Sequence, residues 1–130
     1  MTVDPTILNT GPTILVTGSR EWTDRFTIFS ALRQYPTCRL LIHGNARGAD
    51  RIAAEIAEHL GFKIKSVPAQ WDRYNKAAGA IRNRVMLDLN PDLVLAFHSN
   101  LAVSKGTKDC VEEAQRRKIP VRLIRGIKDL

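Results

Sequence analysis

What this 130-residue chain has little of narrows it first. It holds two cysteines, Cys38 and Cys110, far apart, with no CxxC pair and no regular spacing to His43, His59 or His98. That pattern excludes a disulfide framework and the common zinc motifs, so both thiols are expected to be reduced and packed, with no metal and no cofactor. No apolar run reaches the roughly 18 residues that a membrane span needs. The start, MTVDPTILNTGPT, lacks a basic segment followed by an apolar stretch of signal-peptide length. A soluble, cytoplasmic protein with no membrane partner is the expectation. Three chemical signatures are also missing: GxGxxG after a strand, GxxxxGK[ST] and GxSxG. Their absence disfavours NAD-linked hydride transfer, Walker-type ATP hydrolysis and a hydrolase nucleophile elbow.

What is present starts with charge. Twenty Lys and Arg against thirteen Asp and Glu give a formal +7, which suits an anionic partner such as a nucleotide, a nucleic acid or an acidic protein. The basic residues are spread along the chain, with short clusters at RNR and QRRK and few aromatics between them. That distribution reads more simply as a solvated surface than as a nucleic-acid stripe, so nucleic acid is the lesser expectation for a partner.

Residues 1–12, with Pro5, Gly11 and Pro12, show no periodicity and read as an arm; residues 13–130 read as one domain. TILVTG, RLLIHG, KIKSVPA, DLVLAFH and IPVRLI are strand-like, the third weaker and nearer an edge. Four helical segments alternate with them. The first runs from Thr23 to about Tyr35, with Phe26, Phe29 and Leu32 at helical spacing and Thr23 or Asp24 as cap. The second, ADRIAAEIAEHLG, carries Ile52, Ala53, Ile56, Ala57 and Leu60 on one face. The third, NKAAGAIRNRVMLDL, carries Ala77, Ala78, Ile81, Val85 and Leu89, with Arg82 at the border of that face and Asn83 pointing outward. The fourth, GTKDCVEEAQRRK, turns Val111 and Ala114 inward. Mostly continuous apolar strands alternating with helices predict a doubly wound α/β fold, a parallel sheet of five strands with helices on both faces. The expected strand order is 3-2-1-4-5.

In such folds ligands sit beyond the carboxyl ends of the strands, so the loops there carry the functional signal. GSREW brings Gly18, Ser19 and Arg20; HGNARGAD brings Gly44, Asn45, Ala46, Arg47, Gly48 and Asp50; SKGTKD brings Lys105, Gly106 and Thr107. Glycine lets backbone approach a ligand, and the helix that follows offers unpaired N–H groups. Ser19, Ser104 and Thr107 can donate to phosphate oxygens, and Arg20 and Arg47 can grip them bidentately. Each loop alone is also ordinary turn chemistry; three on one sheet edge favour an anion site. Asp50 reads as a cap of free N–H groups at its helix start, with ribose binding as the alternative. Trp71 can stack on a base or cover the sheet edge, and Arg82 can reach into the site or snorkel to solvent.

Taken in order, VTGSREW, IHGNARGAD, the Trp before NKAAGAIRNRVM, DLVLAF and KGTKDCVEEA resemble the YspA-type branch of the SLOG superfamily over about residues 13–124. The resemblance implies a Rossmann-like domain that binds, senses or processes nucleotides or nucleotide derivatives such as ADP-ribose, NAD-derived ligands, cyclic nucleotides or nucleoside monophosphates. It further implies a bacterial or phage setting and a homodimer paired through helices. The superfamily includes the Lonely-guy phosphoribohydrolases, N-glycosidases that use an Arg and a Glu. Arg82, Asn83 and Met86 match their Arg segment and Gly106 and Thr107 their loop, whereas Cys110 stands where their Glu would be. Arg82 and Asp109 are then the candidate catalytic pair, if there is catalysis. Asn45 departs from the Gly usual in this branch, a change that a left-handed turn tolerates.

Overall fold

The computed structural model describes residues 10–130; the expected arm falls mostly outside them. The described residues build a sheet of five parallel strands: β1 Thr13–Gly18, β2 Leu40–His43, β3 Ile64–Ser66, β4 Leu93–Phe97 and β5 Val121–Ile124. Their order is β3-β2-β1-β4-β5, the same as the expected 3-2-1-4-5, which the sequence alone does not determine, and the weak third strand lies at an edge.

Alternation along β1 explains the two cores. Ile14 and Val16 point to one face, where they pack with Ile28, Leu32, Ala53 and Ile56. Leu15 points to the other and meets Met86, Leu87, Cys110 and Ala114. Because successive side chains alternate, a strand buried on both faces must be apolar throughout, which is why LLIH and LVLAF are continuous runs. Helices α1 (Arg25–Leu32) and α2 (Ala49–His59) cover the first face. After a short helix α3 (Trp71–Tyr74) and a 3₁₀ turn, Asn75–Ala77, helices α4 (Ala78–Asp88) and α5 (Gly106–Arg116) cover the second.

Two helices sit rotated from their expected faces. Asp24 caps α1 by accepting from the amide and hydroxyl of Thr27 at 3.0 and 2.6 Å. That cap brings Thr27, Ile28 and Ala31 inward with Leu32, so Phe26 is 66% exposed and Phe29 lies near the rim, contrary to expectation. On α4 the buried residues are Ala78, Asn83, Met86 and Leu87, while Val85 and Leu89 face solvent. Polar bonds made by Asn83, described below, hold that rotation. Cys38 and Cys110 are buried free thiols, pushed up to about 11 and about 12 chiefly by burial, so both stay protonated.

Candidate functional site

The strand order reverses between β1, whose chain goes on to β2, and β4, whose chain goes on to β5. At the carboxyl ends of this central pair lies a cleft of about 720 Å³. Its walls come from the loop after β1 (Gly18, Ser19, Arg20), from Ala46 and Asp50, from Trp71 and Arg82, and from the α5 start (Ser104 to Thr107, with Asp109).

The first two loops brace each other. The Ser19 carbonyl accepts from Trp22 N at 3.2 Å and from Ala49 N, the first residue of α2, at 3.0 Å. The approach is so close that Gly48, at φ 82°, could not carry a Cβ without meeting the backbone of Ser19 and Arg20. Asn45 turns at φ 55°, the left-handed angle that Asn tolerates, and its amide donates to His43 Nδ1 at 3.0 Å. Burial lowers the His43 pKa, so the ring is neutral and the proton sits on Nε2.

Asp50 caps no helix end, contrary to expectation. Its Oδ2 accepts from Gly44 N at 3.0 Å and Ala46 N at 3.3 Å, so it closes the loop before α2. Burial pushes its pKa up to about 6, against the two amides and the nearby Arg82 and Arg20 guanidinium groups. Arg82 Nη1 in turn donates to the Gly44 carbonyl at 2.7 Å, in a space a side chain at Gly44 would fill. Its Nε donates to Asn83 Oδ1 at 3.0 Å. Burial lowers the Arg82 pKa while Asp50 opposes that, and a guanidinium keeps its charge regardless.

Asn83, expected outside, is 2% exposed. Its Nδ2 donates to the Gly106 carbonyl at 3.1 Å and to Asp109 Oδ2 at 3.0 Å, so it ties α4 to the start of α5. Arg84 reaches the same Oδ2 at 3.4 Å. At α5 the Ser104 hydroxyl accepts from the amides of Thr107 and Lys108, leaving those of Lys105 and Gly106 without a protein acceptor among the described residues. Ser19 Oγ likewise accepts from Glu21 N. Each hydroxyl can still donate its one proton to a ligand. Trp71 stands at the mouth, 48% exposed, with the Arg20 guanidinium 5.8 Å from its ring centroid.

The family model described as "YspA, cpYpsA-related SLOG family" matches residues 12–74. The Gene 61 protein of Mycobacterium phage D29 is 40% identical over 117 residues, covering 83% of this chain and 92% of that protein. The chain belongs to this SLOG family. Among solved structures, the X-ray structure of DNA processing protein A (DprA) from Streptococcus pneumoniae superposes with a TM-score of 0.56 at 16% identity. That match covers 94% of this SLOG chain and 61% of the DprA chain, and it speaks for the α/β Rossmann-like fold alone.

Of the residues the sequence singles out in this SLOG chain, Gly18, Ser19, Arg20, Ala46, Asp50, Trp71, Arg82, Lys105, Gly106, Thr107 and Asp109 line the cleft. Gly44, Gly48 and Asn83 stand behind the lining and shape it. Arg47 does not reach the cleft: it turns away to Glu21 Oε1 at 2.6 Å and the Arg20 carbonyl at 3.2 Å. The cleft also takes in Thr17, Lys76, Gly79, Ala80 and His98, which the loop patterns do not pick out individually. His98 follows the last residue of β4, and that position past a strand end is the signal that could have found it. Among the described residues no group of His, Cys, Asp or Glu could hold a metal ion, and no helix is long and apolar enough to cross a membrane.

Proposed function

We propose that the cleft binds a nucleotide or nucleotide-derived small molecule, phosphate at the loops after β1 and β4 and base against Trp71. The observation that carries this reading is the charge balance of the lining. Arg20, Lys76, Arg82 and Lys105 meet at the strand-order switch against only Asp50 and Asp109. Both carboxylates are engaged inside the protein, Asp50 by backbone amides and Asp109 by Asn83 and Arg84. The surplus positive field, the free amides at the α5 start and the half-exposed indole suit a phosphorylated, planar ligand. SLOG membership supports the same class.

Thermal shift and calorimetry with nucleoside monophosphates, cyclic nucleotides and ADP-ribose test it. Binding raises the melting temperature by mass action. Trp71→Ala should weaken binding by roughly 1–3 kcal/mol, about 5- to 150-fold, if the base stacks there. No stabilisation at millimolar ligand refutes the reading.

Catalysis of the phosphoribohydrolase type draws support from Arg82 and Asp109 sharing one cleft. Against it, Arg82 is held in place by bonds to Gly44 and Asn83, and one oxygen of Asp109 already accepts from Asn83 and Arg84. Binding without base release is therefore the preferred reading, and chromatography of the same ligand incubations checks it. A nucleic-acid surface gains little support, because Arg25, Arg84, Arg116, Arg117 and Arg125 are all held in ion pairs.

A further inference from the structure

A smaller recess of about 340 Å³ opens beside the main cleft and shares Arg20, Ala46, Trp71 and Arg82 with it. Four guanidinium groups line it, those of Arg20, Arg47, Arg51 and Arg82, and no carboxylate does. Like charges gathered at one recess repel one another.

Here backbone carbonyls hold three of the four. Arg51 Nε donates to Asn45 O at 3.2 Å, Arg82 Nη1 to Gly44 O, and Arg47 Nε to Arg20 O. A carbonyl orients a guanidinium without neutralising it, and it leaves the other N–H groups of the fork unspent. Of the four, only Arg47 forms a salt bridge among the described residues, to Glu21. Arg51 and Arg82 are thus oriented at one small volume, and Arg20 joins them beside the Trp71 ring. None of the three forms a salt bridge among the described residues, Asp50 near Arg82 and Arg20 being the one carboxylate close by; the remaining wall includes Pro68 and Ala69. Guanidinium forks presented in this way match the geometry of phosphate oxygens.

We propose that this recess is a second anion subsite, taking a phosphoryl group separate from the one held in the main cleft. Resting on the nucleotide reading above, it narrows the ligand to a nucleotide phosphorylated at two positions, with Trp71 and Arg20 between the two phosphates. Arg51 is the residue that separates the sites: it lines the recess, not the main cleft, and it is exposed on α2, where replacement leaves the core intact.

The experiment is calorimetric titration of the wild-type chain and of Arg51→Gln with a nucleoside 5′-monophosphate, the matching 3′,5′-bisphosphate, and inorganic pyrophosphate. The bisphosphate should bind wild type roughly tenfold tighter than the monophosphate, the scale of one added charge-assisted contact. Arg51→Gln should remove that advantage and leave monophosphate affinity within about twofold. A bisphosphate no tighter than the monophosphate in wild type, or an advantage that survives in Arg51→Gln, overturns the second subsite while the nucleotide reading stands. If no nucleotide binds, pyrophosphate decides. Pyrophosphate binding lost in Arg51→Gln upholds the anion subsite and retires only the nucleotide; binding indifferent to Arg51, or absent, overturns the subsite.

Discussion

Replacing Asp50 by Asn should change how stability depends on pH. Asp50 is 4% exposed, and burial raises its pKa from 3.8 to about 6 in the fold. As pH rises through about 4, the unfolded chain loses this proton while the folded chain keeps it. The folded state then binds more protons than the unfolded one, so the contribution of Asp50 to stability falls with rising pH and levels off above about 6. The interval from 3.8 to about 6 corresponds to about 3 kcal/mol at most. The Arg82 guanidinium stays charged across this window, and Cys110, pushed up to about 12, stays neutral, so neither adds its own titration. The Asn side chain keeps an oxygen that can accept from Gly44 and Ala46 but has no proton to lose. Urea unfolding of both proteins at a series of pH values between about 4 and 7 gives the stability of wild type minus that of Asp50→Asn. This difference cancels the carboxylates common to both and should fall by about 2–3 kcal/mol as pH rises. A difference that stays flat, or that grows with pH, would refute a buried Asp50 that holds its proton.

Two further substitutions probe the frame of the cleft. Gly48→Ala meets both a left-handed φ of 82° and the backbone of Ser19 and Arg20, so about 2 kcal/mol or more should be lost in thermal or urea unfolding. Gly106→Ala, which meets nothing within 4 Å, should be neutral or gain about 0.5–1 kcal/mol; equal costs at the two positions would sink the close-approach argument. Asn83→Ala leaves Arg82 Nε without its acceptor and Asp109 with one donor fewer, and should cost about 2–3 kcal/mol in urea unfolding. A loss below about 0.5 kcal/mol would mean that the α4–α5 tie carries no weight.

The strands were readable because a sheet buried on both faces needs unbroken apolar runs, and TILVTG, LLIH and LVLAF supply them, whereas their order is set by which strands pair in space and was not itself legible. Helix α2 was readable for a related reason: its apolar residues recur at one spacing and its other face is charged. Helices α1 and α4 misled because the apolar residues picked out by spacing, Phe26 and Phe29 on α1 and Val85 and Leu89 on α4, did not mark the inner face. On α1 the Asp24 cap sets the rotation and leaves Phe26 outside; on α4 a polar residue, Asn83, goes inward because its amide has partners on α5. Such partners lie 23 and 26 positions away in the chain, beyond the reach of any periodicity. The cleft shows the same division. Which loops meet follows from topology, so Ser19, Arg20 and Thr107 are where the strand ends put them. Which way an arginine turns depends on a competitor such as Glu21, and so Arg47 leaves the cleft while Arg82 enters it.

The two tryptophans occupy opposite environments. Trp22 is 9% exposed, its Nε1 donating to Asp24 O at 2.9 Å and its ring edge-on to Phe97 at 5.7 Å, whereas Trp71 stands half in solvent against Arg20. The chain thus contains two built-in fluorophores that report different events. Emission from Trp22 follows the integrity of the core, while Trp71 lies open to a soluble quencher and to whatever arrives at the mouth. Wild type, Trp22→Phe and Trp71→Phe together separate occupancy from unfolding optically, with no label attached.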